Sequence, residues 1–161
     1  MEQFQEFKEK AKSYIKTADH LAFVTFPLLK DNRLIPSILD NLFLALSNGM
    51  NAVLYYDRLF KRVPPFKEDF DSKMQIFKEQ SMHRYKLNPA YAALIQEVKE
   101  IIIKHKTSPV EFSRGDKFVI CDDKYHTETI NIQRLKEYIS KTKIFIQDVC
   151  AILSENEGIF V

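Results

Sequence analysis

Glycine is scarce in this chain: three residues in 161, at Gly49, Gly115 and Gly158, none near another. That excludes a glycine-rich phosphate loop and fits long helices better than a β-rich fold with many tight turns. Trp is absent, and the two cysteines, Cys121 and Cys150, form no spaced pattern. They are expected to be reduced thiols of a cytoplasmic protein, the alternative being a single disulfide between them. No long apolar run exists. Leu42 to Leu46 falls far short of the ~20 residues of a membrane span, so no membrane is expected as a partner. An excess of one charge sign is also missing. Net charge is +2, which excludes a global polycation of the kind that coats nucleic acid. Met1 to Glu6 is acidic and polar, which predicts no secretory leader.

What the chain does have is helical periodicity. Ile35 to Arg62 reads as one long helix, apolar over most of its circumference: Ile35, Leu39, Leu42, Leu46, Val53, Tyr56 and Phe60 share a face, and Ile38, Ala45, Ala52, Leu59, Phe43, Leu54 and Tyr55 widen it. A helix apolar on so many sides needs several partners. At ~1.5 Å per residue it is roughly 40 Å long, so the partners must be long as well. Phe4, Phe7, Ala11, Tyr14, Ala18 and Leu21 predict a first helix over about 2–26, with Pro27 at its end or at a kink. The short polar link Lys30-Asp31-Asn32-Arg33 makes the first two helices antiparallel neighbours. Val63-Pro64-Pro65 stops the central helix. A third helix over about 68–85 rests on Phe70, Met74, Phe77 and Ser81. A fourth follows the Asn88-Pro89 start signal and carries Tyr91, Leu94, Ile95, Val98, Ile101 and Ile102.

Between about 110 and 129 the pattern changes. Val110-Glu111-Phe112 and Lys117 to Cys121 read as strands, Gly115-Asp116 and Asp122-Asp123-Lys124 as turns, and Tyr125-His126-Thr127 as a returning strand. The last helix starts at Asn131, an N-cap, with Ile130 and Leu135 at the spacing of a hydrophobic staple. Ile132, Leu135, Ile139, Thr142, Ile146, Val149 and Leu153 then form a regular seam, able to pack within the chain or across a homodimer. The expected fold is all-α: a single domain over residues 1–161, an antiparallel up-and-down bundle of four to five helices with a small inserted β-hairpin.

The candidate chemistry is thin. No two of His20, His83, His105 and His126 lie three or four apart, so no helix presents a pair of metal ligands. Cys121-Asp122-Asp123 with His126 is the one local ligand cluster, and it lacks the second pair a structural zinc site needs. No Ser or Cys sits in a nucleophile elbow, and neither metal nor cofactor is expected. Asp57-Arg58 and Asp19-His20 read as capping or surface charges. The most suggestive region is basic: Lys104, His105 and Lys106 at the end of the fourth helix, with Arg114, Lys117, Lys124 and His126 in the hairpin. If the hairpin folds back on that helix end, these residues make one positive patch able to hold phosphate. The alternative is an ordinary solvated face whose cations complement the helix macrodipole. Phe112, Phe118 and Tyr125 are either base-stacking rings or, as the simpler expectation, anchors of the hairpin to the core.

The opening Lys10-Ala11-Lys12-Ser13-Tyr14-Ile15 with Ala18-Asp19, the long second helix with Ala45, Ser47-Asn48-Gly49 and Ala52, and the closing helix Leu135 to Leu153 resemble the HEPN superfamily in layout. These are small helical bundles linked to nucleotide and RNA biology. Ribonuclease members carry an Arg a few residues before a His; none of the four histidines here has an Arg at that spacing, so no catalytic residues carry over. The resemblance therefore implies a non-catalytic member or one that uses different residues. With the basic hairpin region and the apolar seam of the last helix, the expectation is a non-catalytic binding or interaction module, a homodimer, with RNA, a nucleotide or an unidentified protein as ligand. An enzyme alternative is a ribonuclease with displaced groups, His105 and His126 exchanging protons and Arg114 on the phosphate. A third reading is a structural subunit of a protein complex.

Overall fold

The protein is described here from a computed structural model. It describes residues 1–107, 110–114, 117–121, 124 and 126–155, with the backbone alone for Thr107 and Val110–Arg114. The Gly115-Asp116 and Asp122-Asp123 turns and Tyr125 lie outside the described residues.

Helix α1 runs Gln3–His20, widens into a π turn over Leu21–Thr25 and closes with Phe26–Leu29. The expected stop at Pro27 is instead a distortion inside the helix. A proline ring clashes with the carbonyl four residues back and donates no hydrogen bond. The widened turn immediately before it opens the backbone there. Helix α2 spans Leu34–Leu59. It ends before the Val63-Pro64-Pro65 stop, because Lys61 takes a left-handed conformation (φ 57°). The amides of Lys61 and Arg62 then turn back onto the carbonyls of Arg58 and Asp57, which is a Schellman closure built on Lys where Gly is usual. Helix α3 comprises Phe70–Ile76, a second π turn Phe77–Ser81 and Met82–Tyr85. It is capped by the Asp69 carboxylate on the Ser72 amide, 3.0 Å, and closed by left-handed Lys86. Helix α4, Ala90–Thr107, starts where Asn88 accepts from the Ala90 amide at 3.0 Å.

Strands β1 (Val110–Arg114), β2 (Lys117–Cys121) and β3 (Thr127–Asn131) form an antiparallel sheet in that order. The hairpin is therefore the first half of a three-stranded meander, and the returning strand lies later than the expected 125–127. Asn131 ends β3 and caps helix α5, Ile132–Ser154, by accepting from the Arg134 amide at 2.8 Å. Ile130 and Leu135 are both fully buried, as a staple requires.

Helix α2 is the hub and touches all four other helices. Phe4 packs edge-on against Tyr56 and Phe7 against Tyr55, so α1 and α2 run antiparallel. The α5 seam is covered by the same chain: Leu135, Ile139, Thr142, Ile146, Val149 and Leu153 are all buried, and α5 lies along α2. Gly49 permits this approach, since a Cβ there would stand 2.8 Å from Cε1 of Phe145. The inner face of the sheet, Phe118, Ile120 and Ile130, joins the same core. No described helix is long and apolar enough to cross a membrane.

Candidate functional site

The β insertion does fold back on the end of α4. The His105 ring, half-buried, meets Phe118 edge-on with centroids 6.0 Å apart. Lys104 pairs with Glu128 of β3 at 3.5 Å. Phe118 is an anchor, 9% exposed and part of the core. Lys106, Lys117, Lys124 and His126 are exposed. Two of the basic residues therefore serve the junction between helix and sheet, and Lys106, Lys117, Lys124 and His126 lie outward.

The register sorts them further. Arg114 stands opposite Lys117, and Lys117 opposite Asn131, at one end of the sheet. His126 precedes Thr127, which stands opposite Cys121 at the other end. At ~3.3 Å per residue the two ends are roughly 13 Å apart along the strand. The ladder thus brings Arg114 and Lys117 together and sets His126 and Lys124 apart from them. Strand alternation turns Lys117 and Val119 to the face opposite Phe118 and Ile120; Lys117 is exposed there, whereas Val119, opposite Phe112 in the register, is buried.

Two polar networks escaped the reading of the sequence. The first joins α4, β3 and α5. Arg134 reaches Glu128 at 2.8 Å, Glu97 at 3.1 Å, the Tyr138 hydroxyl at 2.8 Å and the Thr129 carbonyl at 3.3 Å. Tyr138 in turn donates to Glu97 at 2.8 Å. Burial, then its bond to Glu97, pushes the Tyr138 phenol up to about 12. Burial alone would raise the Glu128 carboxyl, but Arg134 outweighs it and holds that group below its ordinary value.

The second network corrects the expectation of a surface charge at Asp57. This carboxylate is fully buried, at 0% exposure. Ser81 donates to it at 2.6 Å, Tyr85 through a short hydrogen bond, and Arg84 forms an ion pair at 3.4 Å. Ser81 is the last residue of the π turn of α3. The Tyr85 hydroxyl also accepts from Arg62 at 3.1 Å, and Arg84 donates to the Arg62 carbonyl at 2.7 Å. Burial, then the bond to Asp57, raises the Tyr85 phenol far above its ordinary value. The only sequence signal was an Asp one turn before a helix end, and that is equally common at the surface. Asp19, by contrast, is a surface charge, paired with Lys143.

Among the described residues no three His, Cys, Asp or Glu side chains gather closely enough to hold a metal ion. Asp122 and Asp123 of the sequence cluster lie outside them. Cys121 and Cys150 are half-buried thiols. Three open hollows on the described surface hold about 260, 280 and 240 Å³, each below the ~300 Å³ at which small-molecule pockets begin. Compared with known proteins, the chain matches no family model, no curated protein and no solved structure.

Proposed function

We propose that the chain is a non-catalytic, HEPN-like binding module that holds RNA or a nucleotide through phosphate at the β insertion. The supporting observation is the register: Arg114 stands opposite Lys117 at one end of the sheet. Single-stranded ligands are held in large part by cations that follow the backbone. The ribonuclease alternative needs His105, Arg114 and His126 to converge, and the sheet sets Arg114 and His126 at opposite ends.

The test is the double variant Arg114→Ala plus Lys117→Ala. Surface substitutions of this kind change stability by about 0.5 kcal/mol or less, so its melting temperature is expected to stay within about 2 °C of wild type. Its affinity for a single-stranded oligouridylate at low salt is expected to fall about tenfold, roughly 1.4 kcal/mol. A collapse of the melting temperature, or a wild type that binds no RNA at low salt, makes the sheet a structural clasp and removes the reading.

A further inference from the structure

The corner where α2 and α3 end carries more positive charge than its folding requires. Asp57 is already saturated: Ser81, Tyr85 and Arg84 occupy its two oxygens. Arg62 is left over. Among the described residues its guanidinium donates to the neutral Tyr85 hydroxyl. Its guanidinium lies over the rings of Tyr56, 5.6 Å from the centroid, and Phe60, 5.5 Å. Among the described residues no carboxylate pairs with it. A guanidinium has five N–H donors in a rigid fork, so most of those on Arg62 remain unspent.

Arg84 stands against it through the Arg62 carbonyl, with its side chain 34% exposed. The chain then adds Lys61 next to Arg62 and Lys86 next to Tyr85, both exposed and both in left-handed helix closures. Asp57, which acts on Arg62, Glu155, which acts on Tyr56 from α5, and the two helix C-termini, worth about half a negative charge each, face these four cations. In the same corner the Tyr56 hydroxyl is buried and, among the described residues, has no hydrogen-bond partner.

Arg84 donates to the Arg62 carbonyl, and among the described residues no carboxylate forms an ion pair with Arg62, whose guanidinium is already ordered by two aromatic rings; the two arginines form a preorganised anion cradle. The fork geometry matches the oxygens of a phosphate group. We propose that Arg62 and Arg84, flanked by Lys61 and Lys86, bind a phosphate group, as the terminal phosphate of a nucleotide or as a phosphodiester of RNA. This site is separate from the sheet. Gly49 meets Phe145 midway between the two, and at ~1.5 Å per residue along α2 and α5 they lie roughly 35 Å apart.

The experiment is calorimetric titration of the full chain at low salt with inorganic phosphate, adenosine monophosphate and an oligouridylate. Wild type, Arg62→Gln, Arg62→Lys and the Arg114→Ala plus Lys117→Ala variant are compared. Wild type is expected to bind inorganic phosphate saturably. Arg62→Gln should bind at least about tenfold more weakly, with Arg62→Lys between them because an ammonium lacks the fork. The sheet variant should bind inorganic phosphate as wild type does. If the monophosphate is favoured and the oligouridylate ignores Arg62→Gln, the ligand is a nucleotide; if the oligouridylate is weakened too, it is a phosphodiester chain. Wild-type melting temperature should also rise in phosphate relative to chloride at equal ionic strength, since a ligand of the folded state stabilises it. No saturable phosphate binding by wild type, no such rise, or an Arg62→Gln variant that binds like wild type overturns the site.

Discussion

Arg134 and the Arg62–Arg84 pair are made from the same ingredients, guanidinium, phenol and carboxylate, in opposite proportion. Around Arg134, two carboxylates, a phenol and a backbone carbonyl converge on one guanidinium. Around Asp57, one guanidinium and two hydroxyls converge on the carboxylate, and a second guanidinium, Arg62, reaches it only through the Tyr85 hydroxyl. The first cluster is closed: its cation is saturated, and it pins β3 to α4 and α5. The second is closed around its anion and open around its cations. Local charge balance, rather than the number of charged residues, separates a structural pin from a surface able to take a ligand. A chain of net charge +2 can therefore hold a focused cationic site without being a polycation.

The largest effect that sharpens this contrast is expected from Asp57→Ala. Removing the anion leaves Arg84 without its ion-pair partner and the buried Ser81 and half-buried Tyr85 hydroxyls without their acceptor. Breaking a buried ion pair costs about 3–5 kcal/mol, which lowers the melting temperature by roughly 10 °C in a chain of this size. A loss under about 1 kcal/mol in a denaturant titration would mean that the corner is hydrated and that Asp57 is not its anchor.

Arg134→Met is expected to cost less, about 1–2 kcal/mol, because Glu97 and Glu128 are partly exposed and regain water when the cation goes. Its signature is a pH dependence. Glu128 titrates below its ordinary 4.5 in the folded chain. The stability it contributes is complete above the unfolded value and is lost as pH falls through the lower folded one. Melting temperature should therefore fall on acidification below about pH 4.5, and less steeply in Arg134→Met. Asp31, held low by Arg33, and Glu68, held low by Tyr55 and Lys73, keep part of that slope in the variant. Equal slopes in the two proteins would break the account of the pin.

At the alkaline end the sign reverses. Tyr91, raised by burial and by its bond to Asp148, and Tyr138 titrate at about 12. The neutral phenols stabilise the fold below the unfolded value near 10, and that contribution is lost as pH rises toward 12. A phenolate absorbance titration should show these tyrosines ionising late, or together with unfolding. A single transition near pH 10 in the folded protein would contradict the placement of both hydroxyls against carboxylates.

The smallest stability effect belongs to Arg62→Gln, within about 1 kcal/mol, since among the described residues its guanidinium donates to a neutral phenol. A large loss would make Arg62 part of the clasp and close the contrast with Arg134.

How far these features were legible in the sequence follows from the range over which each is encoded. Asn131, Ile130 and Leu135 set the start of α5 within one helical turn, and Asn88 does the same for α4. The apolar stripe of Ile35, Leu39, Leu42 and Leu46 made α2 the hub. The two π turns stayed hidden because one extra residue per turn barely disturbs a 3.6-residue pattern. Helix ends at Lys61 and Lys86 stayed hidden because a left-handed residue is read from Gly or Asn, not from Lys. Of the basic region, the docking of the insertion on α4 was legible, but the splitting of Arg114 and Lys117 from Lys124 and His126 required the register. The Arg62–Arg84 corner was not legible, because its members meet only when α3 returns alongside α2, and Asp57 looks the same in sequence whether buried or solvated.

The most direct test of phosphate binding at the sheet is the salt dependence of oligouridylate affinity for wild type and for Arg114→Ala plus Lys117→Ala. Each phosphate contact to a single strand contributes about 0.7 to the slope of log affinity against log salt, so losing two should reduce the slope by roughly 1.4. That reduction, with the melting temperature unchanged, is the predicted result. Parallel lines for the two proteins, or a wild-type affinity that does not respond to salt, would contradict the account.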